Sequence, residues 1–256
     1  MASGDKLFDF GALDALGPPW VYVKFTSGST EPTLGDTIWG DTSDANAVLQ
    51  YLELVSGTWA GNDAAGWMIL DNWNGTTWSS GENFTANTTT AGNHGTLTLT
   101  PTDPTIATLD RANGTWVLDF DADSNEVALF QGVCRGYGGG GLTATLGVSS
   151  SVNTLDMSWY LFIKTISDDV DNLTNVGADP SGLKVFAAPQ KNEAFDAPSA
   201  VGEVAMDVIT FTDGGQVDNL ADGDLTFFLL VRNAQDAAND DMAADGALHF
   251  LEVRET

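Results

Sequence analysis

Leu225-Thr-Phe-Phe-Leu-Leu-Val231 runs without a charge, and Ala247-Leu-His-Phe-Leu-Glu-Val253 alternates apolar residues with His249 and Glu252. A strand with no polar face is buried on both sides, whereas an alternating one keeps a wet face. The two stretches therefore read as strands of an all-β body, and their closeness in sequence predicts that residues 224–254 form the last hairpin of a β-sandwich. Between them, residues 232–246 carry Asp236, Asp240, Asp241 and Asp245 with two asparagines and no lysine. That composition predicts a connection that projects into solvent. The C-terminal strand is expected to be tied down and to close the fold.

Upstream, short apolar or alternating runs occupy residues 106–109, 116–120, 126–130, 142–148, 157–166, 183–188 and 201–211, with turn signals such as Asn113-Gly114 between them. Residues 157–166, Met-Ser-Trp-Tyr-Leu-Phe-Ile-Lys-Thr-Ile, are apolar almost throughout and read as a central strand. Together with the final pair they predict about eight strands, a β-sandwich or jelly-roll domain over residues 105–256. Pro101-Thr-Asp-Pro104 is a stiff polar break and marks the domain boundary.

Before that break, residues 20–104 read as a small β-module, barrel or meander. Its expected strands are 20–25, 37–39, 45–54, 66–70, 83–85 and 96–100, with Asn74-Gly75 as a hairpin-type turn. Trp39, Trp59, Trp67, Trp73 and Trp78 fall here and would fill a thin core with large rings. Residues 1–19 form an N-terminal arm. Leu7, Phe8, Phe10, Leu13 and Leu16 are apolar, but Gly4, Gly11 and Gly17 interrupt any long helix. The arm reads either as a tether to a neighbour or as a first edge strand.

Across 256 residues, 36 Asp and Glu stand against 9 Lys and Arg, a formal net charge of −27. Phosphate binding needs clustered basic side chains, so nucleic acid and anionic membrane surfaces are excluded as partners. Asp collecting in the turns of a β protein accounts for the charge; a salty environment that screens it is the other reading. Cys134 is the one cysteine, which rules out an intrachain disulfide or a cysteine zinc site. With no apolar run of membrane-spanning length and no basic start followed by an apolar stretch, the chain is expected to be made in a reducing cytosol.

Two sets of residues carry a resemblance. The first is Gly35-Asp36-Thr37-Ile38-x-Gly40-x-Thr42-Ser43-x-Ala45 with Ser56-Gly57-Thr58-Trp59, Asp63-Ala64-Ala65-Gly66 and Ser80-Gly81-Glu82. It resembles a β-module of tailed-bacteriophage virion proteins, and each glycine is expected where a tight turn needs a positive φ. The second covers most of residues 107–256. Leu118-Asp119-Phe120-Asp121, Phe130-x-Gly132-Val133, Tyr137-x-Gly139-Gly140-Gly141-Leu142, Trp159, Asp224-Leu225, Val231-Arg232 and the terminal Leu251-Glu252-Val253-Arg254-Glu255-Thr256 are similar to a domain of phage structural proteins. That resemblance implies a jelly-roll decoration, fibre or tail component. Cys134-Arg135-Gly136 departs from the pattern, which has a proline-containing segment there.

No motif makes a case for catalysis. Asp119-x-Asp121-x-Asp123-Ser124-Asn125-Glu126 spaces acids as a calcium loop does, but Ser124 stands where an EF-hand needs glycine and Phe130 where it needs a bidentate glutamate, so a solvated turn is expected. Tyr137-Gly138-Gly139-Gly140-Gly141 lacks the Lys-Ser/Thr of a phosphate loop and reads as a place of close strand or chain approach. His94 and His249 fall in different domains, neither set against a serine and an acid. Cys134 reads as a buried small residue. Trp39, Trp73 and Trp78 are read as core and interface rings, with a sugar-stacking platform as the rival.

The expectation is thus a non-enzymatic structural component of a tailed phage particle with no catalytic, cofactor or metal site. It would be a head decoration or fibre-like protein attached to capsid or neck and tail proteins, a homo-oligomer with a trimer favoured. It would be located in the virion and made in the bacterial host cytoplasm. The alternative is a carbohydrate- or receptor-binding module of a tail fibre.

Overall fold

The computed structural model describes residues 21–71, 76, 78–86, 95–98, 107–112, 114–167, 171, 185–236 and 238–256. Residues 1–19, Trp73, the Asn74-Gly75 turn, His94 and residues 101–104 lie outside the described residues. The chain is all-β and divides into two compact units.

The first unit is a closed antiparallel barrel. Its strands are β1 (Val21–Gly28), β2 (Thr37–Gly40), β3 (Asn46–Ser56), β4 (Ala64–Asp71), β5 (Asn83–Ala86) and β6 (Gly95–Thr98), in the order β1-β4-β3-β2-β5-β6, with β6 returning to β1. Side chains two apart point inward: Val23 and Phe25, Ala47 and Leu49, Met68 and Leu70, Phe84 and Ala86 meet Ile38 and Trp78 in one core. Register shifts in β3 at Leu49/Tyr51 and Leu54/Ser56 supply the bends a barrel this small needs. Gly35, Gly57 and Gly81 have the expected positive φ. Gly40 and Gly66 do not, and are required for space instead. A Cβ on Gly66 would sit 1.8 Å from the Glu53 carbonyl oxygen, and one on Gly40 would meet the Glu82 carboxylate at 2.6 Å.

The second unit is a two-sheet sandwich. It contains β7 (Thr108–Ala112), β8 (Thr115–Phe120), β9 (Glu126–Val133), β10 (Leu142–Ser150), β11 (Asp156–Ile166), β12 (Gln190–Asp196), β13 (Val204–Phe211), β14 (Leu225–Arg232) and β15 (Gly246–Glu255). One sheet runs β13-β10-β15-β8-β7 and the other β12-β11-β14-β9. The antiparallel pairs β8·β15, β9·β14, β10·β13 and β11·β12 nest inside one another along the chain. A chain that first doubles back as one long ribbon and then rolls up gives that nesting, which is the jelly roll; β7 adds a hairpin to the edge of β8.

This wrapping corrects the predicted hairpin. β14 pairs with β11 and β9, and β15 pairs with β10 and β8, so the two stretches lie in opposite sheets. The burial reading of β14 holds on both sides. Phe228 and Leu230 enter the core, and Leu229 and Val231 on the other face are equally inaccessible. Trp159 of β11 packs edge-on against Phe120 at 4.9 Å and Phe195 at 6.5 Å, joining the sheets.

A second correction concerns the apolar segment 183–188. Its first two residues lie outside the described ones, and residues 185–189 are not a strand; Phe186 packs on Phe162 instead. The strand is the polar β12 that follows. At a sheet edge, with burial confined largely to Phe195, it carries no apolar pattern for sequence to reveal.

Candidate functional site

Among its described residues the connection 232–246 packs onto the sandwich rather than projecting freely into solvent, because it is built around a buried cation. Arg232, fully buried at the end of β14, uses all five of its N–H donors. Nε and Nη2 bond the two carboxylate oxygens of Asp240 at 3.0 Å each, Nη1 donates to the carbonyls of Phe120 and Ala244, and Nη2 also reaches that of Met242. Asp240 also accepts from the Ser158 amide at 3.1 Å. Nearby, Asn125 donates to Asn233 at 2.6 Å and accepts from the Gln235 amide at 2.9 Å. The guanidinium thus fastens the connection over the sandwich end, burying Asn233, Asp240 and Met242.

Beside this anchor lies the acidic segment weighed for calcium. Glu126 accepts from the Asp121 amide at 2.8 Å, Asp121 from the Asp123 amide at 2.6 Å, and Asp245 from the Ala122 amide at 3.0 Å. Glu126 and Asp121 cap their own turn, and Asp245 reaches the same turn from across the domain. Burial pushes the Glu126 carboxyl up to about 7 against that stabilising amide bond, and the charges of Asp121, Asp119 and Asp245 add to the rise. Asp119 is raised as well, by burial and then by Asp245 and Asp110. Among the described residues no group of three or more potential ligands is arranged to hold a metal ion.

The glycine segment is occupied by the chain's own C-terminus. The amides of Gly138 and Gly140 donate to Glu255 Oε1 at 3.0 and 2.9 Å, and the Thr256 amide donates to the Gly141 carbonyl at 2.9 Å. A Cβ on Gly141 would come 2.4 Å from the Phe211 carbonyl oxygen. The close approach expected here is therefore between strands of one chain. Cys134 is buried, and burial, followed by the charges of Asp222, Asp224 and Glu255, pushes its thiol up to about 12.

His249 meets a serine that sequence reading did not pair with it: Ser149 Oγ and His249 Nε2 are 2.8 Å apart on adjacent strands. His249 is the extra residue of a bulge, where the register steps from Gly147 opposite Phe250 to Val148 opposite Leu248. Burial lowers its pKa, favouring the neutral ring. Among the described residues no carboxylate is bonded to the other ring nitrogen. Ser149 sits on a central strand paired on both sides, where the ladders take up backbone amides that an oxyanion hole would need.

In the barrel, the resemblance residues converge on a fastening. The buried Glu82 carboxylate accepts from the amides of Thr42 and Ser43 at 2.9 Å, from the Ser43 hydroxyl at 2.7 Å and from the Ser79 amide at 2.7 Å, locking two turns together. Thr58 accepts from the Gly61 amide and Asp63 from the Thr58 amide, ordering the next turn. Of the rings considered for a sugar platform, Trp78 lies in the barrel core at 5% exposure and Trp39 is half-buried.

What the sandwich leaves open is a surface. Val204, Met206 and Val208, on the outer face of the edge strand β13, are 39%, 68% and 44% exposed, and Val201 just before them is also exposed. The register sets Met206, Gly147 and Phe250 in one row across β13, β10 and β15, with Val208, Thr145 and Glu252 in the next. Gly147 is needed here because the Phe250 ring lies over it, 2.3 Å from where a Cβ would be. Sequence reading missed this face: Val204-Ala-Met-Asp-Val208 alternates as a half-buried strand does, and alternation does not say which side faces water.

No protein-family model matches the chain, and no curated protein matches it.

Proposed function

We propose that this chain is a non-enzymatic structural component of a tailed phage particle. In this reading it is a head decoration or fibre-like protein that attaches to the capsid and acts as a homo-oligomer, with a trimer favoured. The observation that carries the reading is a contrast within the jelly roll. Its polar clusters are spent on its own turns, while one sheet face presents Val204, Met206 and Val208 to solvent. Contiguous exposed apolar side chains on a folded domain mark contact surfaces. The resemblance of residues 107–256 to phage structural domains points the same way.

The second reading is a carbohydrate- or receptor-binding module of a tail fibre. It is favoured by Trp116, 56% exposed with the Arg111 guanidinium 5.2 Å from its ring centre, which offers one stacking face. Peptide mass spectrometry of gradient-purified particles tests the first reading, which expects this chain in copy numbers comparable to the shell protein. Its absence would overturn that reading. Glycan-array binding lost in Trp116→Ala would favour the second.

A further inference from the structure

The two outer faces of the sandwich differ. On the four-stranded sheet, Tyr160, Phe162, Leu229 and Val231 are all at 2% exposure or less. On the five-stranded sheet the rows across β13, β10 and β15 stay open around Met206. Glu252 and Arg254 are the charged side chains on those outward rows, and they pair with each other. Asp207 lies opposite Leu146, whose side chain enters the core, and accepts from Asn192 Nδ2 at 2.8 Å. Among the described residues this face therefore carries no uncompensated carboxylate.

In a chain of net charge −27 that absence decides what can approach. A second copy brings the same charge, and contact through an acid-lined surface would set carboxylate against carboxylate. Here two copies can meet through apolar and hydroxyl side chains, with the Glu252–Arg254 pair as the charge on the face and already compensated. Strand addition at the edge of β13 is opposed: Asn192 Nδ2 also donates to the Val208 carbonyl at 3.4 Å, and an inward-turned charge such as Asp207 discourages edge pairing. The partner must lie on the face.

We propose that the outer face of β13, β10 and β15, centred on Met206, is the contact between copies of this chain. In a pair the face meets its own copy; in a ring of three it turns to the axis and meets both neighbours. Three strands spaced ~4.8 Å apart, with seven residues rising ~3.4 Å each, make a face on the order of 300 Å². A stable interface buries about 800 Å² per partner. Association in solution is therefore weak, rises with concentration, and strengthens with salt that screens the repulsion. The inference deepens the proposed assembly role, from which it takes only that copies meet.

Sedimentation of the full chain across micromolar to near-millimolar concentrations, at about 0.05 M and about 1 M salt, tests it. The wild-type chain should associate, more so at high salt. The Met206→Glu/Val208→Glu double variant, altered at exposed positions, should remain a monomer, with association at least ~10-fold weaker. Val55→Glu, 68% exposed in the barrel unit, should associate as the wild type does. Circular dichroism melts should show that all three fold. A wild-type chain that is monomeric throughout, a double variant that associates like the wild type, or an equal loss in Val55→Glu would overturn the proposal. Absence from particles together with Met206-dependent association would sink the phage reading and leave this contact standing.

Discussion

Arg232 and Asp240 form a two-pronged ion pair, Nε to Oδ2 and Nη2 to Oδ1 at 3.0 Å each, with both side chains at 1% exposure or less. A buried pair adds little over a well-packed apolar pair, but losing one member strands the other as an uncompensated charge. Asp240→Ala should therefore cost about 3–5 kcal/mol, measured by urea unfolding, and speed hydrogen exchange along 233–245. Arg232→Lys should also lose much of this, because an ammonium cannot supply five donors in a planar fork. Stability within 1 kcal/mol of wild type in both variants would contradict the anchoring role.

Glu126 gives a pH dependence of defined sign. Its folded pKa, about 7, lies above the ordinary 4.5, so the folded state holds the proton longer than the unfolded chain. Its contribution is most favourable below about 4.5 and is lost as pH rises through about 7. Glu126→Gln keeps an oxygen for the Asp121 amide and should be more stable than wild type at pH 8 by roughly 1–3 kcal/mol. The difference should shrink toward pH 4. Parallel stability curves for the two proteins between pH 4 and 8 would refute the assignment.

Gly66→Ala tests whether the barrel is a unit of its own. The new Cβ would sit 1.8 Å from the Glu53 carbonyl oxygen, and backbone cannot yield as a flexible side chain does. The barrel should lose more than about 2 kcal/mol while exchange protection in β10, β11 and β14 stays at wild-type levels. Equal loss of protection in both units would mean that they unfold together.

Glu255→Ala should release the glycine segment. Amide exchange at Gly138 and Gly140 should accelerate well above that of the core, with a stability loss of about 1–3 kcal/mol for the lost charged hydrogen bonds. Glu255→Gln, which keeps an acceptor, should fall between. Unchanged exchange at both glycines would show that the carboxylate does not hold them.

Strand positions were largely legible because burial writes its period into the side chains. The uncharged run of β14 read as buried on both faces and the near-continuous run of β11 as a central strand; β14 is buried on both faces and β11 lies inside its sheet. Pairing was not legible, since neighbours in sequence suggest a hairpin and nothing in residues 225–253 records that rolling the ribbon sends β14 and β15 to opposite sheets. Arg232 was misread for a related reason: composition counts a cation at the head of a polar loop as solvated, and only the convergence of Asp240 with three carbonyls reveals a buried one. The Ser149–His249 pair joins residues 100 apart in sequence, through a register that turns on a bulge. Absence of a catalytic pattern was an expectation from residue types; the bonds of Glu82, Glu126 and Glu255 to turn amides were not legible, because their partners lie in other segments or depend on the turn's own geometry.

The most direct measurement is a cryo-electron microscopy map of a particle carrying this chain. It should show the jelly roll at many symmetry-related positions on the head shell, with Met206 of each copy at the contact with the next. A particle lacking this density, or holding isolated copies at the tail tip with β13 facing solvent, would contradict the account.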